Sequence, residues 1–130
     1  MSLFRLTILI VVTAFLVNCS FFGDSRIQLT PFEDIPLPPK LTLDEKNTTV
    51  FESPEGRVGL MLAYGKINLE EVTAYYQTNL AETGWNRIGE FFQSERRRLL
   101  VFKKEKRSVA VTMNEGWLST EVEINVSALK

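Results

Sequence analysis

Apolar residues recur at every second position after Trp85, and this period restricts the fold more than any other feature of the chain. The clearest stretch is Leu118–Val126, in which apolar and polar side chains alternate. Alternation of this kind is typical of a β-strand with one buried face. The same pattern predicts strands over residues 88–92, 99–103 and 108–113, and the short polar connections between them indicate antiparallel hairpins.

A single helix is predicted before these strands, over Asn68–Thr83. Asn68 is a suitable N-cap, and Glu71, three residues later, completes a capping box. Gly84 can adopt the left-handed conformation that ends a helix. The expected fold class is therefore α+β: one helix packed on a meandering antiparallel sheet of about five strands, in a two-layer sandwich.

The strand predicted over residues 58–64 is apolar on both sides. We expect its even-numbered residues to face the helix, which places Met61 and Ala63 on the opposite face. A contiguous exposed apolar patch is uncommon on a monomer without a use. Met61 and Ala63 are therefore candidate partner-binding residues, unless the segment 41–51, predicted as one short strand, covers them.

Residue types that carry most catalytic and metal chemistry are scarce. The chain has no histidine and one cysteine, Cys19. Glu121 and Glu123 share one face of a predicted strand, about 7 Å apart, and we interpret them as the solvated side of an amphipathic strand rather than as a catalytic pair. We expect no catalytic residue, no metal site, no cofactor and no enzymatic activity.

Cys19 follows an apolar run, Leu6–Val17, which has 12 residues against the roughly 20 that a membrane-spanning helix needs. With Arg5 before this run, the sequence Leu16-Val17-Asn18-Cys19 resembles the signal of bacterial lipoproteins, in which the cysteine becomes the acylated first residue. Asn18 departs from the pattern, because the family prefers Gly, Ala or Ser at that position.

The resemblance implies a signal peptide over residues 1–18 and a lipid on Cys19, the only non-protein group expected. After the signal peptide, Pro31, Pro36, Pro38 and Pro39 in a segment without sustained periodicity predict a tether over 19–40, and the strand and helix patterns predict an α+β domain over 41–130. The location implied is the bacterial envelope, with the periplasmic face of the outer membrane favoured by Ser20 and the inner membrane as the alternative. The membrane is then the first partner, reached through acyl chains.

The part from Ile35 to Ala128 also resembles small Gram-negative lipoproteins of unknown function. The similarity rests on Ile35-Pro36-Leu37-Pro38, the Tyr75-Tyr76 pair, Gly84-Trp85 and the strands at 99–103 and 120–126. It implies location and fold, and no activity.

Basic residues form two dense clusters at opposite ends of one predicted strand. Charges on hairpin tips usually maintain solubility, and contact with anionic envelope components or an acidic partner is the alternative. A nucleic-acid partner is not expected, because removal of residues 1–18 takes away Arg5 and no acid, which leaves 14 Lys and Arg against 16 Asp and Glu. The candidate partner-binding cations are Arg96, Arg97, Arg98, Lys103, Lys104, Lys106 and Arg107.

These features favour a membrane-anchored, non-catalytic binding or scaffold module of the envelope, with an envelope protein or a second copy as its partner. The alternative is a carrier of a lipid or another apolar ligand between the helix and the sheet.

Overall fold

The structure is a computed structural model, and it describes residue 28 and residues 30–130. The predicted signal peptide and Cys19 lie outside the described residues. In chain order the elements are β1 (Leu41–Leu43), a 3-10 helix (Glu45–Asn47), β2 (Thr49–Ser53), β3 (Gly56–Gly65), α1 (Leu69–Glu82), β4 (Asn86–Ser94), β5 (Arg97–Lys104), β6 (Arg107–Glu115) and β7 (Thr120–Ala128).

All seven strands belong to one open antiparallel sheet with the order β1-β3-β7-β6-β5-β4, and β2 also pairs with β3. The α+β class and the helix on the sheet are confirmed, but the expected count of about five strands is too low. Segment 41–51 accounts for part of the difference, because it forms β1 and the start of β2 rather than one strand. Asp44 interrupts it by accepting hydrogen bonds from the Lys46 and Asn47 backbone amides.

Helix α1 begins and ends as its sequence predicts. Asn68 and Glu71 form both halves of the capping box. Gly84 has a φ of +91°, and the Trp85 N–H donates to the Leu80 carbonyl over 2.9 Å. The buried side of the helix packs across β4, β5 and β6, which makes it the upper layer of the core.

A second part of the upper layer is the strap, which we define as residues 30–40. Phe32, Ile35 and Leu37 are almost fully buried and belong to the same core as α1. The Thr83 hydroxyl and the Trp85 indole N–H both donate to the Asp34 carbonyl, at 2.8 and 3.2 Å. The prediction of a tether over 19–40 is therefore wrong for the strap, because proline content reveals extended backbone but not whether the residues between the prolines are buried.

The predicted face assignment of β3 is reversed. Met61 and Ala63 are 0% exposed and point into the core, so neither can be an exposed partner-binding residue. The reason is the pairing of β3 with β7, which sets Met61 beside Ile124 and Ala63 beside Val122 on the buried side. Since β3 is apolar on both sides, its own period could not reveal which side is buried.

Candidate functional site

The sheet face opposite α1, here called the open face, carries no second layer among the elements that the structure describes. Its apolar residues are only partly buried or are exposed. Met61 and Ala63, the two residues predicted for such a face, do not belong to it. The large apolar residues that do are Phe51 on β2, Val58, Leu60, Leu62 and Tyr64 on β3, Phe91 on β4, and Leu99 and Val101 on β5.

Acidic residues separate the two apolar parts of the open face. Glu123 on β7 is the neighbour of Leu62, and Glu121 is the neighbour of Tyr64. Both glutamates lie on the polar side of β7, as the alternation of that strand predicts, and are half-buried. This surface therefore has an apolar strip at each side and a polar strip in the middle.

The two edges of the sheet differ in length and protection. On one side, β1 and β2 have three and five residues and are separated by the 3-10 helix. On the other side, β4 has nine residues and only one strand partner among the described elements, β5. Short, interrupted edge strands discourage pairing with another chain, whereas a long apolar edge invites it.

Three large apolar side chains are exposed on β4. Ile88 is 62% exposed, Phe91 54% and Phe92 70%. Phe91 pairs with Leu99 and so lies on the open face, while Phe92 pairs with Arg98 and lies on the helix side. The edge is therefore apolar toward both faces of the sheet.

Two irregularities shape this edge. The register of β4 against β5 shifts between Arg87 and Gly89 and again between Phe92 and Ser94. Bulges bend a strand and end regular pairing. The regular part of the edge is thus the short stretch 89–92, which contains both phenylalanines.

Arg98 was predicted to bind a partner, but it turns inward. Its side chain donates to both carboxylate oxygens of Glu70, at 2.7 and 3.2 Å, and to the Thr73 hydroxyl at 3.0 Å. The guanidinium also lies 4.7 Å from the centre of the Phe92 ring. The hydrogen bond and negative charge of Glu70 hold the pKa of Arg98 above its ordinary value, against the effect of burial. Arg98 therefore joins α1 to the sheet.

Lys104 and Arg107 were also predicted to bind a partner, and both are occupied within the chain. Each forms an ion pair with Asp34 of the strap, with a Lys104 distance of 2.9 Å, and Arg107 lies over the Trp85 ring at 5.1 Å. Burial alone would raise the pKa of the Asp34 carboxyl, but the hydrogen bonds and charges of these two cations outweigh it and lower that pKa. They hold the strap in place.

The other predicted cations, Arg96, Arg97, Lys103 and Lys106, are exposed. The first two lie at one end of β5 and the last two at the other, as predicted. A shared binding site for all seven basic residues is therefore not formed.

A family model described as START domain-like matches residues 47–123, which is more than half of the chain. The chain belongs to the START domain-like family. The match runs from the 3-10 helix into β7 and so includes β3, α1 and the whole of β4. No curated protein and no solved structure matches the chain. Family membership supports a ligand-binding module.

In this START-like domain the space between α1 and the sheet is filled by side chains. Val72, Tyr76 and Leu80 are 0% exposed on the helix, and Trp85 is 2% exposed below it. Two buried side-chain atoms, the Tyr76 hydroxyl and the Arg98 Nε, have no hydrogen-bond partner among the described residues. Burial raises the pKa of Tyr76 well above its ordinary value, so this hydroxyl keeps its proton.

Surface clefts of the START-like domain are open and mostly lined by polar residues. One of about 420 Å³ lies between the strap and β3, at Asp34, Arg57 and Arg107. Within residues 28 and 30–130, no cluster of acidic, cysteine or histidine side chains could hold a metal ion. No helix in this described part is long and apolar enough to cross a membrane.

Sequence reasoning missed the exposed apolar residues of β4 as a candidate site. The adjacent Phe91 and Phe92 were a usable signal, because neighbouring strand residues must point to opposite faces. What the sequence could not supply was the position of β4 at the edge of the sheet, which follows from the pairing of β3 with β7 instead of with β4.

Proposed function

We propose that this START-like domain is a non-catalytic binding module that is held at the bacterial envelope by acyl chains on Cys19 and takes up an extended segment of a partner protein along β4. The observation that carries the proposal is the exposure of Ile88, Phe91 and Phe92 on a nine-residue edge strand. Lipid anchoring rests on the sequence signal alone.

An added strand would supply two kinds of interaction. Its backbone would bond to the free N–H and C=O groups of β4, and its alternate side chains would contact Phe91 on one face and Phe92 on the other. The exposed apolar area would then be covered without rearrangement of the core. Glu90 and Arg87 of β4 form an ion pair of 2.9 Å. Selectivity would come from the partner side chains that lie beside these two residues.

A matched pair of variants tests the proposal in intact cells. Phe91→Asp should remove cross-linking of the full chain to its partner, because it places a charge in the apolar contact. Phe51→Asp is the control, since Phe51 is exposed at 62% against 54% for Phe91 but lies on the short edge strand β2. Retained cross-linking in Phe91→Asp, or equal loss in both variants, would count against β4 as the binding edge.

The identity of the captured chain separates a partner from a second copy. Cross-linked products should contain a different protein, and sedimentation of the purified chain should give a monomer. A dimer that Phe91→Asp dissociates would mean that β4 pairs with β4 of another copy.

The second candidate is a carrier of an apolar ligand, which the unpartnered Tyr76 hydroxyl and the family membership favour. A ligand with a polar group could occupy the region between α1 and the sheet if the strap and helix move apart, and would satisfy this hydroxyl. Native mass spectrometry of the purified chain should then detect bound lipid, and Tyr76→Phe should weaken its retention. A chain that carries no lipid after gentle purification would remove this candidate.

The anchor has its own test, which does not depend on the ligand. Metabolic labelling with a fatty acid such as palmitate should label the wild type and not Cys19→Ser. Fractionation should place the labelled chain in the outer membrane, and recovery with the inner membrane would reverse that assignment. An unlabelled wild type would overturn the anchoring proposal.

A further inference from the structure

The loop between β6 and β7 carries two exposed apolar side chains. Trp117 is 90% exposed and Leu118 is 87% exposed, more than any other large apolar residue described. The Gly116 N–H donates to the Ser119 carbonyl over 2.9 Å, which closes the loop beneath them. We call residues 116–119 the tip. Burial of large apolar side chains is favourable, so transfer of Trp117 and Leu118 from water into an apolar phase would stabilise the bound state.

Two cations, Arg96 and Lys66, lie near the tip. The Arg96 guanidinium lies 4.3 Å from the centre of the Trp117 ring. Lys66 lines the same small recess as the tip, on the side of β3. Tryptophan is favoured at the boundary between lipid headgroups and acyl chains, and Arg or Lys beside it can contact anionic headgroups. This end of the molecule also carries acidic residues, since Glu115 lines the recess and Glu121 follows Thr120 on β7.

The chain enters the domain at the same end. Gln28 donates its side-chain amide to the Leu41 carbonyl over 2.6 Å. Leu41 pairs with Gly65, and Gly65 pairs with Thr120, the first residue after the tip. At about 4.8 Å per strand spacing, the tip lies roughly 10–15 Å from the entry point. Cys19 is nine residues before Gln28 and can be no more than about 30 Å from it.

From this coincidence we infer that the tip is a membrane-insertion site: Trp117 and Leu118 enter the interface of a phospholipid bilayer while Arg96 lies among anionic headgroups. The inference rests on the proposed acyl anchor, which would hold the membrane close to this end of the molecule. With the tip in the interface, the domain has a fixed orientation. The β5–β6 hairpin, at the other end of the strands, then points away from the membrane.

Fluorescence quenching tests the inference with the full chain in vesicles of phosphatidylethanolamine and phosphatidylglycerol that carry brominated acyl chains. Trp117 should be quenched by the bromine atoms, whereas Trp85 is buried in the protein. Leu118→Asp retains both tryptophans and should lose most of the quenching. Phe51→Asp, an exposed apolar residue away from the tip, should leave the quenching unchanged.

Intact mass and flotation of the same samples separate the inference from the anchor. An acylated chain that floats with the vesicles but is not quenched would overturn the tip and leave the anchor intact. Quenching of a chain whose mass shows no acyl group would support the tip and overturn the anchor. Equal quenching in the wild type and in Leu118→Asp would also overturn the insertion of the tip. Quenching of Trp117 by a water-soluble quencher in the presence of the vesicles would do the same.

Discussion

Neighbouring residues of β3 have opposite environments, and the sequence around them does not reveal which is which. Met61 is 0% exposed, whereas Leu62, the next residue, faces the open face and is partly exposed. Both are large and apolar, so hydropathy treats them alike. The pairing partner decides: Met61 lies beside Ile124 and Leu62 beside Glu123.

A matched pair of charge substitutions follows from this difference. Met61→Lys should bury a charge without a partner and destabilise the domain by several kcal/mol, enough to unfold it. Leu62→Lys should be tolerated, since its amine can reach water and the Glu123 carboxylate. Urea titration of both variants measures the difference, and a greater loss in Leu62→Lys would mean that the faces are assigned incorrectly.

Asp34 is a residue whose role appears only in the structure. Asp34→Asn should loosen the strap, because it removes the charge that Lys104 and Arg107 share, at a loss of about 1–2 kcal/mol. The pKa of Asp34 is lowered from 3.8 in the folded chain, so its contribution is present above that pH and is lost as the pH falls through the folded value.

Denaturation of wild type and Asp34→Asn at several pH values checks this sign. The stability gap should be constant near neutral pH and should close as the pH falls below 3.8 and through the lowered pKa of Asp34 in the folded chain. A gap that widens on acidification would show that the carboxyl is not paired with these cations.

At the scale of elements, α1 is the part that the sequence predicts best. Its cap and its stop depend on residues within one turn of each end, so no distant contact is needed to recognise them. The short strands before α1 are the opposite case, since β1 and β2 form only by pairing with β3. The position of β4 at the edge likewise depends on which strands pair, and not on the residues of β4 itself.

The stop of α1 can be tested directly. Gly84 has a φ of +91°, a conformation in which a β-branched residue is strained by more than about 1 kcal/mol. Gly84→Val should lower the melting temperature by about 4–8 °C for each kcal/mol lost. Glu121→Gln and Glu123→Gln are the controls and should melt like the wild type, and a Gly84→Val domain with an unchanged melting temperature would contradict the helix stop.

For the whole molecule, the strap moves the start of the folded domain to before residue 41. Composition predicts a break at residue 40, but Phe32, Ile35 and Leu37 extend the core across it. A chain that begins at residue 28 should fold cooperatively, whereas one that begins at residue 41 should lose several kcal/mol and bind a dye for exposed apolar surface. If the two truncated chains melted at the same temperature, the strap would belong to the tether and not to the folded domain.

The described part of the molecule has an apolar edge at β4 with a regular stretch at residues 89–92, an exposed tip at the end where the chain enters, and a protected edge at β1 and β2. These give a START-like binding module two separate contacts. The tip would meet the membrane and β4 the partner. Neither could be assigned from sequence, because exposure depends on which strand is last in the sheet and which loop extends beyond it.

Amide hydrogen exchange of β4 tests the binding account most directly, because an added strand must protect backbone groups and not only side chains. The full chain in native envelope membranes should exchange more slowly over residues 86–94 than the purified chain does, while residues 49–53 of β2 should exchange alike in both. Equal exchange of β4 in the two samples would contradict the proposal that this edge takes up a partner segment.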